Sequence, residues 1–525
     1  MPTAGATKSG ALTRRTFLRR VGVGVGAVAV GGLAPPTLRS AYAQTNPQVF
    51  GRMFPNLPPF APADDRMRAA LREMGRPGGL LDAQDNLAAG PVRLITDLGL
   101  SANNPNNTTH TAGTTFMGQF LDHDMSLDTT SRLGVPAPPE QTLNGRTPSF
   151  DLDSLYGADP TGSAQLYNPA DQAKLRIESG GLFEDLPRNA SGTAIIADPR
   201  NDENLIIAGL HAAFILFHNN AVDFVRSQNP LADAFEEARR LTTWHYHWLI
   251  LKEFLPQFVG QAMVDDVLRN GRRFYLPPMG GAFIPVEFQG AAYRFGHSMV
   301  RPSYRANRTG DPGGNPATGA PQFFGFIFDP AGQGQSDPVD LRGNARAPRR
   351  FVGWETFFNF DGVEVRPNKM IDTNLSTPLF NLPPITLPGE DAPTSLPARN
   401  LLRGLTWSLP SGQAIAQAMG VRWLRSNELA ELTNYGVQLQ KSTPLWYYVL
   451  KEAELLAGGL TLGPVGGRIV AEVFIGLLQT DPHSWVVKQP SFRPTLPSGN
   501  TRGSFTMVDF LRFAGVDPES RAAAA

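Results

Sequence analysis

The part of this sequence best suited to chemistry is a histidine flanked by two acids, His123 between Asp122 and Asp124. It lies in the stretch Thr114–Asp128, TTFMGQFLDHDMSLD, whose apolar side chains predict a short buried helix. On a helix, Gln119 and His123 are four residues apart and share one face. Burying a histidine with two carboxylates is costly, so the cluster favours a functional site over the alternative of a solvated, mixed-charge helical turn.

A loop with regularly spaced oxygen ligands follows. In the sequence TPSFDLDSLYG, side-chain oxygens recur at alternate positions, on Thr147, Ser149, Asp151 and Asp153. Calcium prefers hard oxygen ligands of this kind, and Asp124 could supply a fifth. An Asx-rich turn is the alternative, but the fifth contributor favours calcium.

Three later stretches place polar residues at helical spacing. In DPRNDEN, Arg200 and Glu203 are three residues apart and could point the same way, with a surface ion pair as the alternative. In YRFGHSMV, Arg294 and His297 are also three apart, and the glycine between them allows a bulky group to approach. In ARNLLR, an amide and a guanidinium are three apart, on Asn400 and Arg403.

Four histidines on two long apolar helices are less informative. His211 and His218 lie inside the predicted helix that begins at Leu205, and both are expected to be structural. His245 and His247 lie in WHYHW, within a helix predicted over Leu231–Phe258. Residues two apart on a helix point to different sides, which disfavours a metal site there.

Composition excludes several classes of function. The 525 residues carry 47 basic and 47 acidic side chains and no basic stripe, so nucleic acid is not an expected partner. The chain has no cysteine, which excludes disulfides, thiolate-ligated metals or haem, and a thiol nucleophile.

The first 43 residues resemble a twin-arginine export signal. Arg14 and Arg15 precede a short apolar run over Val21–Leu33, and Ala41–Ala43 offers a cleavage site before Gln44. The run is too short and glycine-rich to span a membrane, so no stable span is expected after cleavage, with an uncleaved anchor as the alternative. The mature chain is expected to be periplasmic or extracellular, and its oligomeric state is not predicted.

The periodicity predicts a mainly α fold with long irregular loops and little sheet. Residues 44–113 are expected to wrap the surface, with one helix near Asp64–Met74, and residues 114–525 to form one large helical domain. Residues 307–348 are expected to form a long surface excursion around an apolar patch at Phe323–Phe328. Further helices are predicted at Ala414–Met419, Leu445–Leu456 and Ile469–Leu478.

Taken in order, five motifs resemble those of the animal-type haem peroxidases of the peroxidase–cyclooxygenase superfamily, here as an exported bacterial member. They are GQFLDHD, the Asp/Thr loop ending in LYG, DPRNDEN, YRFGH and NLLR, and they span about residues 115–480. The resemblance implies that His123 is the distal histidine, Gln119 its halide-side and water-binding neighbour, and Arg200 the catalytic arginine. It also implies that His297 is the proximal ligand of haem iron, oriented by Asn400.

The same resemblance implies two cofactors, haem b and calcium. Arg294 and Arg403 resemble haem propionate partners, and Asp122 and Glu203 match the carboxylates that in this family can form ester links to the haem. The calcium loop is matched by Asp124, Thr147, Ser149, Asp151 and Asp153. Asp153 stands where a serine is often found, which keeps the oxygen ligand and adds charge.

Two departures narrow the expected activity. Asn204 follows Glu203, so the methionine–haem link of one mammalian member cannot form. The cyclooxygenase branch carries a radical tyrosine three residues before its proximal histidine; here Arg294 takes that position and Tyr293 lies one residue earlier. The second departure favours a peroxidase over a fatty-acid dioxygenase.

We therefore expect a secreted haem peroxidase that reduces hydrogen peroxide while oxidising a halide, a pseudohalide or a small organic donor. One alternative is a haem-dependent fatty-acid dioxygenase, which would need a long apolar channel. Another is a haem-bearing adhesive or interaction protein that uses the Phe323–Phe328 patch.

Overall fold

The structure is a computed structural model that describes residues 48–524, apart from residues 280, 312, 316–317, 361–364, 384–391 and 498–502. It is mainly helical, with 46% helix and 9% strand, as the sequence predicts. The described residues belong to one compact unit with one continuous apolar core. The predicted export signal, residues 1–43, lies outside the described residues, and the predicted boundary at residue 113 stays a prediction.

The described elements are mostly helices joined by long loops. The α-helices are α1 Asp65–Met74, α2 Gly90–Thr96, α3 Ala112–Met125, α4 Asp153–Tyr156, α5 Leu205–Gln228, α6 Ala234–Leu249, α7 Leu255–Val259, α8 Gln261–Asn270, α9 Val286–Gln289, α10 Gly296–Met299, α11 Leu396–Thr406, α12 Gly412–Met419, α13 Leu445–Ala457, α14 Pro464–Thr480, α15 Trp485–Lys488, α16 Met507–Phe513 and α17 Pro518–Ala524. The 3₁₀ helices are Leu87–Ala89, Leu98–Ser101, Pro139–Gln141, Ala164–Leu166, Pro199–Asp202, Ala292–Phe295, Pro330–Gly332, Trp354–Thr356, Thr377–Phe380 and Ser426–Tyr435.

The strands are short. They are β1 Asn106–Thr111, β2 Tyr167–Asn168, β3 Asp171–Leu175, β4 Glu178–Ser179, β5 Glu184–Asp185, β6 Ser303–Asn307, β7 Phe323–Phe326 and β8 Pro367–Lys369. They pair antiparallel as β1 with β8, β2 with β3, β4 with β5 and β6 with β7. The β2–β3 and β4–β5 pairs are local hairpins, whereas the β1–β8 and β6–β7 pairs join stretches further apart in the sequence.

Helix α3 carries the flanked histidine and is buried on nearly every side. Phe120 stacks on Phe214 of α5, with ring centroids 4.3 Å apart, which fixes α3 against the longest helix. The helix ends at Met125, because Ser126 has extended backbone. His123 is only 5% exposed, so the solvated-turn alternative is wrong.

Helix α5 begins with a side-chain cap. The side-chain oxygen of Asn204 accepts hydrogen bonds from the backbone N–H groups of Ile206 and Ile207, at 3.1 and 2.9 Å. By length and apolarity α5 could cross a membrane, but 83% of its most apolar window is buried inside the protein. That burial is typical of the core helix of a globular protein.

The helix predicted over Leu231–Phe258 is wrong as one continuous helix. It begins at Ala234, after the capping residue Asp233, and its α-helical hydrogen bonding is interrupted by a π turn over Ile250–Phe254. Pro256, in the first turn of α7, has no backbone N–H to donate to the preceding turn, which accounts for the break.

The apolar patch at Phe323–Phe328 is not an exposed surface. Phe323–Phe326 forms β7, which pairs with β6, and Phe323 is 1% exposed. The expected surface excursion therefore folds back into the core at its centre. The adhesive alternative loses the feature that suggested it.

Candidate active site

Helix α3 divides its polar residues between two sites. Gln119 lies three residues before Asp122 and four before His123, so it shares a face with each of them, whereas Asp124 turns toward the loop before α4. One buried helix therefore supplies side chains to a histidine site and to a carboxylate cluster.

His123 is held by a short polar chain. Its Nδ1 lies 2.8 Å from the side-chain oxygen of Asn201, whose amide nitrogen lies 3.0 Å from Nδ1 of His211. An oxygen acceptor places the ring proton on Nδ1 and leaves Nε2 as the basic nitrogen. Burial, together with the charge of Arg200, lowers the pKa of His123 to about 4, so the ring is neutral at physiological pH.

Arg200 is fixed by Asp198 rather than by Glu203. Its guanidinium donates to both carboxylate oxygens of Asp198, at 3.0 and 2.7 Å, and to the backbone carbonyls of His123 and Ser126, at 3.1 and 2.8 Å. Burial opposes ionisation of Asp198, but the charges of Arg200 and Arg146 hold its pKa far below its ordinary value. The result is a rigid cation beside helix α3.

Glu203 lies beside the histidine. Its Oε1 is 3.9 Å from Nε2 of His123 and accepts a hydrogen bond from the amide of Gln119. The Gln119 side-chain oxygen in turn accepts from Asn204, at 3.2 Å. Burial raises the pKa of Glu203 to about 7. Asp122, on the neighbouring face of α3, is half-buried and accepts from the hydroxyl of Ser126 at 3.1 Å.

The second histidine of the site is on α10, which packs against α3. The amide of Asn400 lies 2.7 Å from Nδ1 of His297 and 3.4 Å from the guanidinium of Arg294. Burial, then the charge of Arg294, lowers the pKa of His297 to about 3. Among the described residues nothing hydrogen-bonds its Nε2. A metal bound at Nε2 would leave the ring proton of His297 on Nδ1. The amide oxygen of Asn400 would then turn toward Nδ1 to accept a hydrogen bond from it.

Arg403 already has a carboxylate partner. Its guanidinium lies 2.5 Å from Asp128, at the end of the stretch that contains the distal helix, and 4.9 Å from the centre of the Trp407 ring. Asp128 thus belongs to the site, although the sequence pattern did not single it out.

A cluster of three carboxylates lies behind α3. Ligand oxygens of Asp124, Asp151 and Asp153 all lie within 4.8 Å of one another. Burial and mutual repulsion raise the pKa of Asp124 to about 7 and the pKa of Asp151 well above its ordinary value. Three close, poorly solvated carboxylates are the donor set that a hard cation stabilises.

The turn that forms this cluster is strained. Leu152 has φ of +59°, a left-handed conformation that non-glycine residues rarely adopt. Its backbone N–H donates to Asp124 at 3.2 Å, as do the hydroxyls of Ser154 at 3.0 Å and Tyr246 at 3.2 Å. Asp151 and Asp153 lie on either side of Leu152, and this backbone conformation brings their carboxylates close to the carboxylate of Asp124.

The two neutral ligands predicted for this loop differ in position. The backbone N–H of Thr147 donates to Asp153 at 3.1 Å, so Thr147 borders the cluster. The hydroxyl of Ser149 lies 3.5 Å from Asp481 instead.

Alternating charges connect the cluster with Arg200. Arg146 lies 3.4 Å from Asp153 on one side and 2.7 Å from Asp198 on the other. Asp198 in turn binds Arg200 at 2.7 Å. We call Asp153, Arg146, Asp198 and Arg200 the charge row; all four are largely or fully buried.

Three of the remaining histidines have structural partners. His218 contacts the Tyr156 hydroxyl at 3.0 Å and the Ala173 carbonyl at 2.9 Å. His245 contacts the Leu241 carbonyl, whereas His247 contacts the Phe150 carbonyl. These two rings point to different partners, as their spacing on one helix predicts.

Several site residues were not predicted from the sequence. Asn201, Asn204 and Asp198 lie in the DPRNDEN stretch itself, and their short polar side chains beside Arg200 were the available signal. Tyr246 had no comparable signal, because it reaches Asp124 from a helix distant in sequence.

Comparison with known proteins points to one family. The family model for the animal haem peroxidase domain matches residues 128–480, which include Arg200, His297 and Asn400, while His123 lies just before the match. Thyroid peroxidase from Rattus norvegicus is 24% identical over 385 residues, and a peroxidasin homolog from Caenorhabditis briggsae is 23% identical over 391 residues. These alignments cover 66% and 67% of this chain, but the chain spans only 39% and 28% of those relatives' lengths.

Solved structures share the fold. Peroxidase A from Dictyostelium discoideum has a TM-score of 0.56 at 16% identity, covering 84% of this chain and 88% of that chain. A fatty acid alpha-dioxygenase from Oryza sativa has a TM-score of 0.52 at 16% identity, covering 72% and 70%. At these identities the likeness is one of fold.

Proposed function

We propose a haem peroxidase function on the premise that the chain belongs to the animal haem peroxidase family. In this proposal the protein reduces hydrogen peroxide and oxidises a halide, a pseudohalide or a small organic donor. The observation that carries it is a neutral, buried His123 whose basic Nε2 is set by Asn201, next to a cation fixed by Asp198.

The side chains at the site suit haem. His297 would bind the iron through Nε2, because Asn400 engages the other ring nitrogen. Arg294, which has no carboxylate partner among the described residues, would bind a propionate, and the Arg403–Asp128 pair would border another. When bound, haem supplies the electrons for peroxide cleavage.

The chain's own residues move and stabilise charge. Nε2 of His123 accepts a proton from one peroxide oxygen and returns it to the departing oxygen, which a histidine neutral at physiological pH can do. Arg200, locked by Asp198 and two backbone carbonyls, stabilises the negative charge that builds on the departing oxygen. Gln119, between Glu203 and Asn204, orders water or a halide beside the histidine.

Two further features belong to this proposal. Calcium would occupy the carboxylate cluster and hold Asp124, the neighbour of His123, in place. Asp122 and Glu203 would form ester links to the haem during turnover, and both side chains are partly exposed.

We also infer export through the twin-arginine route to the periplasm or beyond. The support is the Arg14–Arg15 pair, the short apolar run and the Ala41–Ala43 triplet. Sequencing the N-terminus of protein recovered outside the cytoplasm tests it: a start at Gln44 agrees, and retention in the cytoplasm refutes it.

A fatty-acid dioxygenase is the second candidate, because the alpha-dioxygenase structures share this fold over most of the chain. Oxygen uptake with linoleate separates the two. Uptake without added peroxide supports the dioxygenase, whereas dye oxidation that depends on peroxide supports the peroxidase.

An absorption spectrum of the mature protein is the first test, followed by acid–acetone extraction. A Soret band is expected, and haem that resists extraction supports the ester links to Asp122 and Glu203. No Soret band after haem supplementation refutes the proposal.

Three histidine variants test the assignment of roles. His297→Ala should lose the haem, whereas His123→Ala should keep it and react with peroxide roughly 10²–10⁴-fold more slowly. His483→Ala, an exposed histidine, is the matched control and should behave like the parent protein. Full peroxide reactivity in His123→Ala would refute the distal role.

A further inference from the structure

Helix α11 presents three polar side chains on one face. Successive residues of an α-helix are about 100° apart, so Arg399, Asn400 and Arg403 fall within an arc of about 100°. Asn400 contacts His297, and Arg403 is paired with Asp128. Arg399 therefore borders the same site, although no motif singled it out.

Arg399 is a buried cation without an ion-pair partner. It is 9% exposed, and its Nε donates to the Pro393 carbonyl at 2.6 Å. In the described part of the chain, no carboxylate lies within ion-pair distance of it, and nothing accepts a hydrogen bond from its two terminal nitrogens. Arg200 and Arg403 on the same site each bind a carboxylate directly.

Glu203 is near Arg399 but already engaged. Burial lowers the pKa of Arg399, and the negative charge of Glu203 acts in the opposite direction. The Glu203 carboxylate accepts instead from Gln119. An ester link to haem would remove its charge altogether, which leaves Arg399 uncompensated.

A buried, uncompensated guanidinium is costly unless a ligand pairs with it. The bond to Pro393 holds the side chain while its two terminal nitrogens stay available, a geometry that suits the two oxygens of a carboxylate. We propose that Arg399 binds the carboxylate of a ligand at the site that Asn400 and Arg403 also border.

The carboxylate has two sources, an organic-acid electron donor or a propionate of the haem itself. The proposal rests on the haem site proposed above and adds the class of ligand that Arg399 takes. Binding through Arg399 would make the site prefer electron donors that carry a carboxylate over neutral donors of the same shape.

The test uses the ferric, haem-loaded mature protein and two probes of similar shape, benzoate and benzyl alcohol. Binding is followed by calorimetry, and haem content by the Soret band, so a failure to bind haem is distinguished from a failure of Arg399. The variants are Arg399→Gln and Arg399→Lys. The control is Arg93→Gln, which changes an exposed arginine paired with Asp97.

We expect the parent protein and Arg93→Gln to bind benzoate more tightly than benzyl alcohol. Arg399→Gln should weaken benzoate binding about tenfold or more, and the affinity of Arg399→Lys should lie between those of the parent protein and Arg399→Gln. The affinity for benzyl alcohol should not change in either variant. Glu203→Gln should tighten benzoate binding, because a competing carboxylate is removed.

If Arg399→Gln instead accelerates haem transfer to excess apomyoglobin and leaves benzoate binding unchanged, the carboxylate is a haem propionate. The proposal is overturned if folded Arg399→Gln changes neither benzoate affinity nor haem retention. It is also overturned if Glu203→Gln weakens benzoate binding as much as Arg399→Gln does. Arg399 would then act only through its interaction with Glu203 and not by binding the ligand.

Discussion

Removing calcium should destabilise the protein more strongly as the pH rises. Burial and the charge of Asp153 raise the pKa of Asp124 from 3.8 to about 7, and the pKa values of Asp151 and Asp153 are raised too. A carboxyl whose pKa is raised by folding favours the fold when protonated, and that contribution is lost as the pH rises through its folded pKa. The metal-free fold is therefore penalised at neutral pH, and a bound cation removes the penalty.

The size of the effect follows from Asp124 alone. A rise in pKa from 3.8 to about 7 corresponds to about 4 kcal/mol at neutral pH, at about 1.4 kcal/mol per tenfold change in proton affinity. At pH 5 only about 2 kcal/mol of this penalty has developed. Since about 1 kcal/mol shifts the melting temperature of a chain this long by about 1 °C, we expect calcium to raise it by about 2 °C at pH 5 and about 4 °C at pH 8.

The assay compares calcium-loaded and metal-stripped protein by circular dichroism at one heating rate, after stripping with chelator at pH 8 and transfer to each buffer. Asp151→Asn should shrink the difference, because it removes one ligand and one of the repelling charges. Asp223→Asn, which changes a half-exposed surface carboxylate, should leave it unchanged. A difference that stays constant or grows toward pH 5 would refute the assignment of the cluster to a cation.

Two further predictions concern the DPRNDEN stretch, residues 198–204. Asn201→Asp should move the acid limb of the peroxide reaction rate from about pH 4 to a higher pH, because a carboxylate beside Nδ1 raises the pKa of the distal histidine. Stopped-flow measurement of the peroxide reaction rate across the pH range gives the position of this acid limb. The surface variant Asn229→Asp is the control and should leave the acid limb where it is. An acid limb that does not move in Asn201→Asp contradicts the assignment of the ring proton to Nδ1. Gly343→Ala should lower the melting temperature by about 1–3 °C, because its Cβ would lie 1.6 Å from the Asp202 carbonyl oxygen. Gly313→Ala, which has room for a Cβ, is the control, and equal melting temperatures would contradict that packing.

Local spacing predicted the parts of the site that lie within one element. The i, i+4 relation of Gln119 and His123 needed only a helix, so it could be read from the sequence. The predicted alternation of oxygen ligands was only partly met, because Ser149 lies toward Asp481 and a left-handed residue separates Asp151 from Asp153. The cluster of Asp124 with Asp151 and Asp153 was predicted because the two stretches are close in the chain.

Partners that meet through tertiary packing were not predictable in this way. Arg403 reaches Asp128 across 275 positions, and no local pattern links the two. The pairing of β7 with β6 was not predicted, because glycine and proline around Phe323 indicated a loop. The strand forms only because it pairs with residues from outside that stretch. The π turn before Pro256 likewise breaks a periodicity that the apolar residues continue across it.

The charge row has a consequence for how the two sites respond to each other. Calcium bound as proposed would add positive charge at Asp153, and Arg146 and Asp198 connect that position to Arg200 through contacts of 3.4 Å or less. If the donor is a halide, its entry beside Arg200 would therefore be favoured when calcium is bound. Thermodynamic reciprocity then requires the halide to tighten calcium by the same factor, so each ion is an effector of the other without any change of shape.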